Sequence, residues 1–189
     1  MYYNNSIGDI TAVNIDSGSL LWQTPTQNNT VYEESFFLKT SDLIANNSSI
    51  IFSNNKNEFF SLDIKTGTIN WKQKINSSLR STLVDDIIFA VSLEGYLFAI
   101  DNQSGNIIRI TDIFNQMKKK KRSKIKPVGF IVGSKNIYLT TDHGRLMIID
   151  IVSGRTKSIL KIDNDKISRP FVLNQNLYII KENSIIRLN

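Results

Sequence analysis

No cysteine occurs in the chain. Disulfides and thiolate metal sites are therefore excluded, and the redox compartment is left unread. Histidine is nearly absent as well: His143 stands alone, so a metal centre of the usual His/Cys kind has no set of donors. Its setting, Asp142-His143-Gly144, is that of a turn residue. A Ser-His-Asp site lacks its usual frame, because no Gly-x-Ser-x-Gly elbow is present. Long apolar runs are missing too. The best, Ile87-Ile88-Phe89-Ala90-Val91, is strand-sized and too short to span a bilayer. The opening Met1-Tyr2-Tyr3-Asn4-Asn5 has neither the basic nor the apolar region of a secretory leader.

What the chain does have is an ordinary globular composition: 189 residues, 41% hydrophobic and 21% charged, enough for one sizeable core. The formal net charge is +6. Much of that excess sits in one run, Lys118-Lys119-Lys120-Lys121-Arg122, so it is weak evidence for a nucleic-acid partner.

A repeat dominates the sequence. Leu62-Asp63-Ile64-Lys65-Thr66-Gly67-Thr68-Ile69-Asn70-Trp71 reads as the end of one strand, a tight polar turn and the start of the next. The word recurs at Val13 to Trp22, Ile100 to Ile108 and Ile149 to Arg155, with a partial copy over Asn183 to Asn189. The turn glycines Gly18, Gly67, Gly105 and Gly154 are 49, 38 and 49 residues apart. The basic unit is thus about 40 residues, and two units carry insertions of about 11. A unit of that length with four strands is a propeller blade.

Each unit offers an apolar strand such as Ile50-Ile51-Phe52-Ser53, a polar turn, and a second apolar strand such as Tyr96 to Ile100. Strands apolar at nearly every position are buried on both faces. The Asp/Asn-x-x-Ser/Thr-Gly turn follows, its side chains suited to bond local backbone and its glycine to positive φ. A last strand then carries Trp22 or Trp71, a large side chain to lay over the adjacent blade. Arg109 and Ser158 occupy that place in the later copies, so a weaker brace is expected there. The strand nearest the axis is expected within Ser77 to Leu83 and Arg169 to Val172. The chain starts in a second strand and stops after a third. An all-β fold follows: a partial propeller of four to five four-stranded antiparallel blades over residues 1–189, with incomplete first and last blades, cut from a larger ring. Its open ends are expected to pair with a missing amino-terminal half or to self-associate.

The Asp-x-x-Thr-Gly-x-x-x-Trp element resembles the repeat of quinoprotein-type (PQQ-like) eight-bladed propellers. Within that superfamily the chain is similar to the carboxy-terminal half of the BamB family of outer-membrane assembly factors. The likeness rests on Gly8 to Trp22, on the long connection containing Ser41-Asp42, on Leu62 to Trp71 in register, and on the end at Ser184 to Leu188. It implies a non-enzymatic protein scaffold on the periplasmic face of the outer membrane, with the leader and lipid anchor in the missing half. It also implies, as partner, the periplasmic domains of the barrel-inserting protein BamA. Ser41, Asp42 and Leu43 match that family's acidic contact segment, although Ile44 stands where a second acid is usual. No cofactor is expected.

Other readings attach to the same residues. The repeat also raises a quinone-dependent dehydrogenase, which needs a central funnel, a calcium held by oxygen ligands and an Asp base. Asp63, Asp101 and Asp150 are explained by their turns and would point to separate blades; the pairs Glu33-Glu34 and Asp85-Asp86 have no evident partner. The run Lys118, Lys119, Lys120, Lys121, Arg122 would suit an anionic partner or headgroup surface, or a solvated loop. It lacks the interleaved aromatics that base stacking needs, which argues against nucleic acid. The connections Thr24 to Asn46 and Thr111 to Val128 are where partner contacts are expected.

Overall fold

Alternation of apolar strands with polar turns produces sheets built almost wholly from hairpins. The structure is a computed structural model and describes residues 1–5, 8–26 and 38–188. Glu33, Glu34 and much of the first long connection lie outside the described residues. Five antiparallel sheets form within them. The first holds β1 (Tyr2–Asn4), β2 (Ile10–Val13) and β3 (Leu20–Thr24). The second holds β4 (Ile44–Ala45), β5 (Ser49–Asn54), β6 (Glu58–Asp63) and β7 (Ile69–Gln73). The third holds β8 (Thr82–Val84), β9 (Ile87–Val91), β10 (Tyr96–Asp101) and β11 (Ile107–Asp112). After a single helical turn, α1 (Lys119–Arg122), come β12 (Pro127–Val132), β13 (Asn136–Thr141), β14 (Arg145–Asp150) and β15 (Thr156–Lys161). The last sheet is β16 (Phe171–Leu173), β17 (Asn176–Lys181) and β18 (Ser184–Leu188).

Strand order follows chain order in every sheet. These are meandering, blade-like sheets. The first carries the second to fourth strands of the repeat unit, and the last carries the first to third, as the phase of the repeat requires. The chain divides into two compact units, Met1–Ile88 with Ile100–Asn106 and Phe89–Ala99 with Ile107–Asn189.

Burial agrees with the apolar runs. Every residue of β5 is buried, as are the four central residues of β6. In the first unit Ile10, Phe52, Phe60 and Leu62 form a core cluster, with Trp22 and Leu43 packed against it. In the second, Leu146, Ile167 and Ile179 play that part, flanked by Tyr138, Ile162, Leu177 and Leu188. Each large side chain taken fully out of water contributes roughly 1.5–3 kcal/mol.

Two first strands start later than expected. Ser77 to Ser81 stays outside the ladder: Ser77 Oγ accepts from the Leu79 amide at 3.2 Å, a local bond that competes with sheet pairing. Pro170 has no amide to donate, so the ladder of β16 begins at Phe171.

The repeated turn has one geometry in four places. The glycine amide donates to the carbonyl four residues back: Gly18 to Asn14, Gly67 to Asp63, Gly105 to Asp101 and Gly154 to Asp150, each at 2.9 Å. The side chain of that Asn or Asp accepts from the amide of the Ser or Thr before the glycine, at 2.7–3.0 Å. The four glycines have φ of +70°, +73°, +74° and +70°, the left-handed region that suits a residue without Cβ. Around Gly18 nothing lies within 4 Å of where a Cβ would be, whereas at Gly105 that atom would sit 2.5 Å from the Trp71 ring.

This contrast yields a paired test. Gly18→Ala should cost only the left-handed penalty, about 1–2 kcal/mol. Gly105→Ala should cost clearly more, about 3 kcal/mol or above, because ring and backbone must also part. Urea unfolding of both variants measures the difference.

Candidate functional site

The fourth strand of each repeat reaches across to the next turn. Trp22 Nε1 donates to the Ile64 carbonyl at 3.2 Å, and Trp71 Nε1 donates to the Asn102 carbonyl at 2.9 Å. Both acceptors follow the turn aspartate by one residue. The ring lies on the turn glycine, Trp22 on Gly67 and Trp71 on Gly105. Two residues further on, Thr24 Oγ1 and Gln73 Nε2 donate to the carbonyls of those glycines at 2.6 and 2.7 Å. Adjacent turns and strands are thus fastened at two points, by an indole and by a polar side chain.

Arg109 performs the same task in place of the expected weak brace. Its Nη2 donates to the Ile151 carbonyl at 2.9 Å, and its Nη1 donates to Val152. Ile151 again follows the turn aspartate by one. A Cβ at Gly154 would meet Thr111 and Arg109. Arginine and tryptophan are interchangeable here because each offers a flat face to a bare α-carbon and an N–H to a carbonyl.

A second device holds the connections. The carbonyls of Gly8, Gly95 and Gly144 accept from Thr26 Oγ1 at 2.7 Å, the Ile113 amide at 3.1 Å and the Ile162 amide at 2.9 Å. The buried Phe114 ring covers Gly95. The second long connection therefore leaves the sheet from a fixed point.

The turn carboxylates are held below their ordinary range. Bonds from the Thr66 amide and hydroxyl depress Asp63, and the Ser104 hydroxyl and amide depress Asp101. At Asp150 the Lys157 ammonium, 2.7 Å away, adds to Ser153 and the depression is large. Asn14 makes the same turn without a charge, accepting from the Asp16 and Ser17 amides.

The candidate contact segment divides. Ser41 is buried; its amide donates to the Ser53 carbonyl and its hydroxyl accepts from the Ser53 amide. Leu43 is half-buried against the Ile10 cluster. Only the Asp42 side chain of the three is exposed.

The basic run is anchored at its carboxy-terminal end, and the connection beyond it at Lys126. Arg122 pairs with Asp112 and lies 5.9 Å from the Tyr96 ring centre. Lys126 exchanges two bonds with Asp142: its amide donates to the Asp142 carboxylate at 2.8 Å, and its carbonyl accepts from the Asp142 amide at 3.0 Å. Lys118 and Lys120 are exposed, and the side chains of Lys119 and Lys121 are outside the described set. Lys120, Lys124, Ile125, His143 and Arg145 line a cavity of about 350 Å³. His143 and Arg145 flank Gly144 in the β13–β14 turn, a partnership with the basic connection that sequence reasoning missed.

In the first unit a polar cleft of about 630 Å³ is lined by Asn46, Ser48, Ser49, Asp63, Asn70, Asp86, Asn102 and Gln103. Ser49 Oγ donates across it to Asn102 Oδ1 at 3.3 Å. Among the described residues no three His, Asp or Glu side chains are grouped to hold a metal ion, and no helix is long and apolar enough to cross a membrane.

Blade-like sheets, turn words and braces together define a β-propeller built from PQQ-like repeats. The family model described as outer membrane protein assembly factor BamB matches residues 1–111, more than half of the chain, and the chain belongs to that family. It is 22% identical over 142 residues to the outer membrane protein assembly factor BamB of Legionella pneumophila (strain Paris), covering 74% of this chain and 32% of that protein. The crystal structure of BamB from Moraxella catarrhalis superposes with a TM-score of 0.67 at 16% identity, covering 95% of this chain and 51% of that one. The Cps50 (Swd1) β-propeller domain of Myceliophteria thermophila gives a TM-score of 0.71 at 10% identity, over 94% of this chain and 57% of that one. The chain thus spans about a third of the curated relative and about half of each solved propeller.

Two measurements check this account. Arg109→Ala should lower stability by about 1–3 kcal/mol, through two lost charge-assisted bonds, and Arg109→Trp should restore part of it. Carboxylates whose folded pKa is depressed contribute fully above the unfolded value near 3.8 and lose that contribution as pH falls through the lower folded value. The melting temperature should accordingly hold near neutrality and fall below about pH 4. Asp63→Asn with Asp101→Asn should flatten that fall while keeping the turn, as Asn14 does.

Proposed function

We propose that this chain is a non-enzymatic protein scaffold of the BamB kind, acting at the periplasmic face of the outer membrane in assembly of β-barrel proteins. Its sheets serve as blades of one propeller domain over residues 1–189, and its partner is the periplasmic part of a BamA-type protein. The observation that carries the reading is the family match over residues 1–111. The engagement of the recurrent polar groups supports it: the repeat aspartates bond their own turns, and the fourth-strand donors bond backbone carbonyls. The surface left for recognition is in the connections, where variable side chains project from a rigid frame.

Asp42 is the contact residue we assign. It is exposed, between Ser41 fixed to Ser53 and Leu43 packed on the core, so a single carboxylate is presented on an ordered support.

Surface plasmon resonance against the purified periplasmic domains of the organism's BamA-type protein tests this. Saturable binding is expected, weakened about tenfold by Asp42→Ala, on the order of 1.4 kcal/mol. Absence of binding by the intact chain would refute the scaffold reading. Saturable calorimetric binding of calcium together with pyrroloquinoline quinone would replace it with the quinoprotein one.

A further inference from the structure

We propose that the polar cleft of the first unit is a docking site for an arginine side chain on an extended segment of a partner polypeptide. Four hairpin ends meet there. The β4–β5 hairpin brings Asn46 and Ser49, β6–β7 brings Asp63 and Asn70, β8–β9 brings Asp86, and β10–β11 brings Asn102 and Gln103. All of them belong to that unit. No apolar side chain is among the lining residues, and most of the lining surface is polar atoms. The chain carries a formal net charge of +6, yet the local balance is the reverse. On the segments that form the cleft, residues 46–49, 63–70, 85–86 and 101–103, the carboxylates of Asp63, Asp85, Asp86 and Asp101 stand against a single cation, Lys65. The next cation along β7, Lys72, is already held by Glu58.

Part of this polar surface holds the frame, and part is left over. The Asn46 amide donates to the Ser49 carbonyl at 3.0 Å, the Ile64 amide to the Ser48 carbonyl at 3.0 Å, and the Asn102 amide to the Asp86 carbonyl at 2.9 Å. Asn46 Oδ1 accepts from the Ser48 and Ser49 amides, Asp63 Oδ1 from the Lys65 and Thr66 amides, and Asn70 Nδ2 donates to Ser61 Oγ. The other ends of these side chains, Asn46 Nδ2, Asp63 Oδ2 and Asn70 Oδ1, have no hydrogen-bond partner among the described residues. The same holds for the Asp86 carboxylate and the Gln103 amide. Asn102 decides the matter. It is only 9% exposed, and its Oδ1 takes the Ser49 hydroxyl at 3.3 Å. Its Nδ2 is unpartnered among the described residues, and the surface left to it lines the cleft. A buried amide with one end unpaired is costly until something from outside completes it.

The free groups select the ligand. Unpaired carboxylate oxygens call for a cationic donor, and unpaired amides call for a peptide group. Both oxygens of Asp86 are open to a guanidinium fork, and Asp63 Oδ2 can take a further N–H. The Asn46, Asn102 and Gln103 amides suit the main-chain N–H and C=O groups of the segment that carries the arginine. No aromatic ring lines the cleft, so a sugar ring has no face to stack on. The volume, about 630 Å³, admits one long side chain with its flanking backbone. Nothing in this argument depends on the scaffold reading.

Trp71 donates to the Asn102 carbonyl and Trp22 to the Ile64 carbonyl. Both tryptophans of the chain therefore rest against hairpins that form the cleft, and their emission reports its occupation. At fixed pH and ionic strength a capped arginine–glycine repeat peptide should change that emission saturably, with calorimetry giving the affinity. The lysine–glycine counterpart should bind about tenfold more weakly, because an ammonium makes no fork, and the glutamine–glycine counterpart should not bind. Asp86→Asn should weaken the arginine peptide by about tenfold or more. It should keep the melting temperature, since the Asp86 side chain has no partner among the described residues. Asp16→Asn removes an exposed carboxylate outside the cleft lining and should leave binding unchanged. An arginine peptide that is not bound, is bound equally by Asp86→Asn, or is bound no better than its lysine counterpart overturns the proposal. So does saturable binding of a neutral oligosaccharide, maltotriose, that the arginine peptide does not displace.

Discussion

The fold depends on a flat side chain resting on a bare α-carbon. The Trp71 ring lies over Gly105 and donates its N–H three residues upstream, to Asn102. Glycine is needed there for two separate reasons, the positive φ of the turn and the room for the ring. The two requirements coincide at Gly67 and Gly105; at Gly154 the room is taken by Thr111 and Arg109, and Gly18 shows the turn requirement alone. Through Trp22, Trp71 and Arg109 the brace joins a fourth strand to the turn that follows it. A sheet that could not bury both faces alone thereby acquires a neighbour in defined register.

The architecture was legible in the sequence wherever several local demands fell on one short word. Asx, Ser/Thr and Gly at fixed offsets announce the turn, and unbroken apolar runs such as Ile50 to Phe52 announce doubly buried strands. Even the phase of the repeat could be read, giving three-stranded first and last sheets. What escaped reading was set by partners far along the chain. Arg109 looks like a lost tryptophan until the carbonyls of Ile151 and Val152 are seen in front of it. The late starts of β8 and β16 came from a serine hydroxyl bonding its own neighbourhood and from a proline without an amide. Strand propensity gives no sign of either.

The same division runs through the candidate sites. The sequence showed Lys118 to Arg122 as one block of like charge. The structure separates its members: Arg122 is paired and sits by an aromatic ring, while Lys120 joins Lys124, His143 and Arg145 around a cavity. Similarly Ser41, Asp42 and Leu43 read as one segment, yet one is hydrogen-bonded inside, one exposed and one packed on the core. Adjacent residues on extended backbone point to opposite sides. Adjacency in the sequence is therefore not adjacency on a surface.

Charge in this chain has two uses, and they differ in what substitution they tolerate. In the turns the carboxylate is an acceptor for nearby amides and hydroxyls. Asn14 shows that the bond, and not the charge, is the structural requirement. The depressed ionisation of Asp63, Asp101 and Asp150 follows from those same bonds and makes pH sensitivity a by-product of architecture. At Arg122 and Lys181 the charge itself is the requirement. Each cation meets a carboxylate, Asp112 and Asp163 in turn, and a neutral substitute on either side removes the attraction.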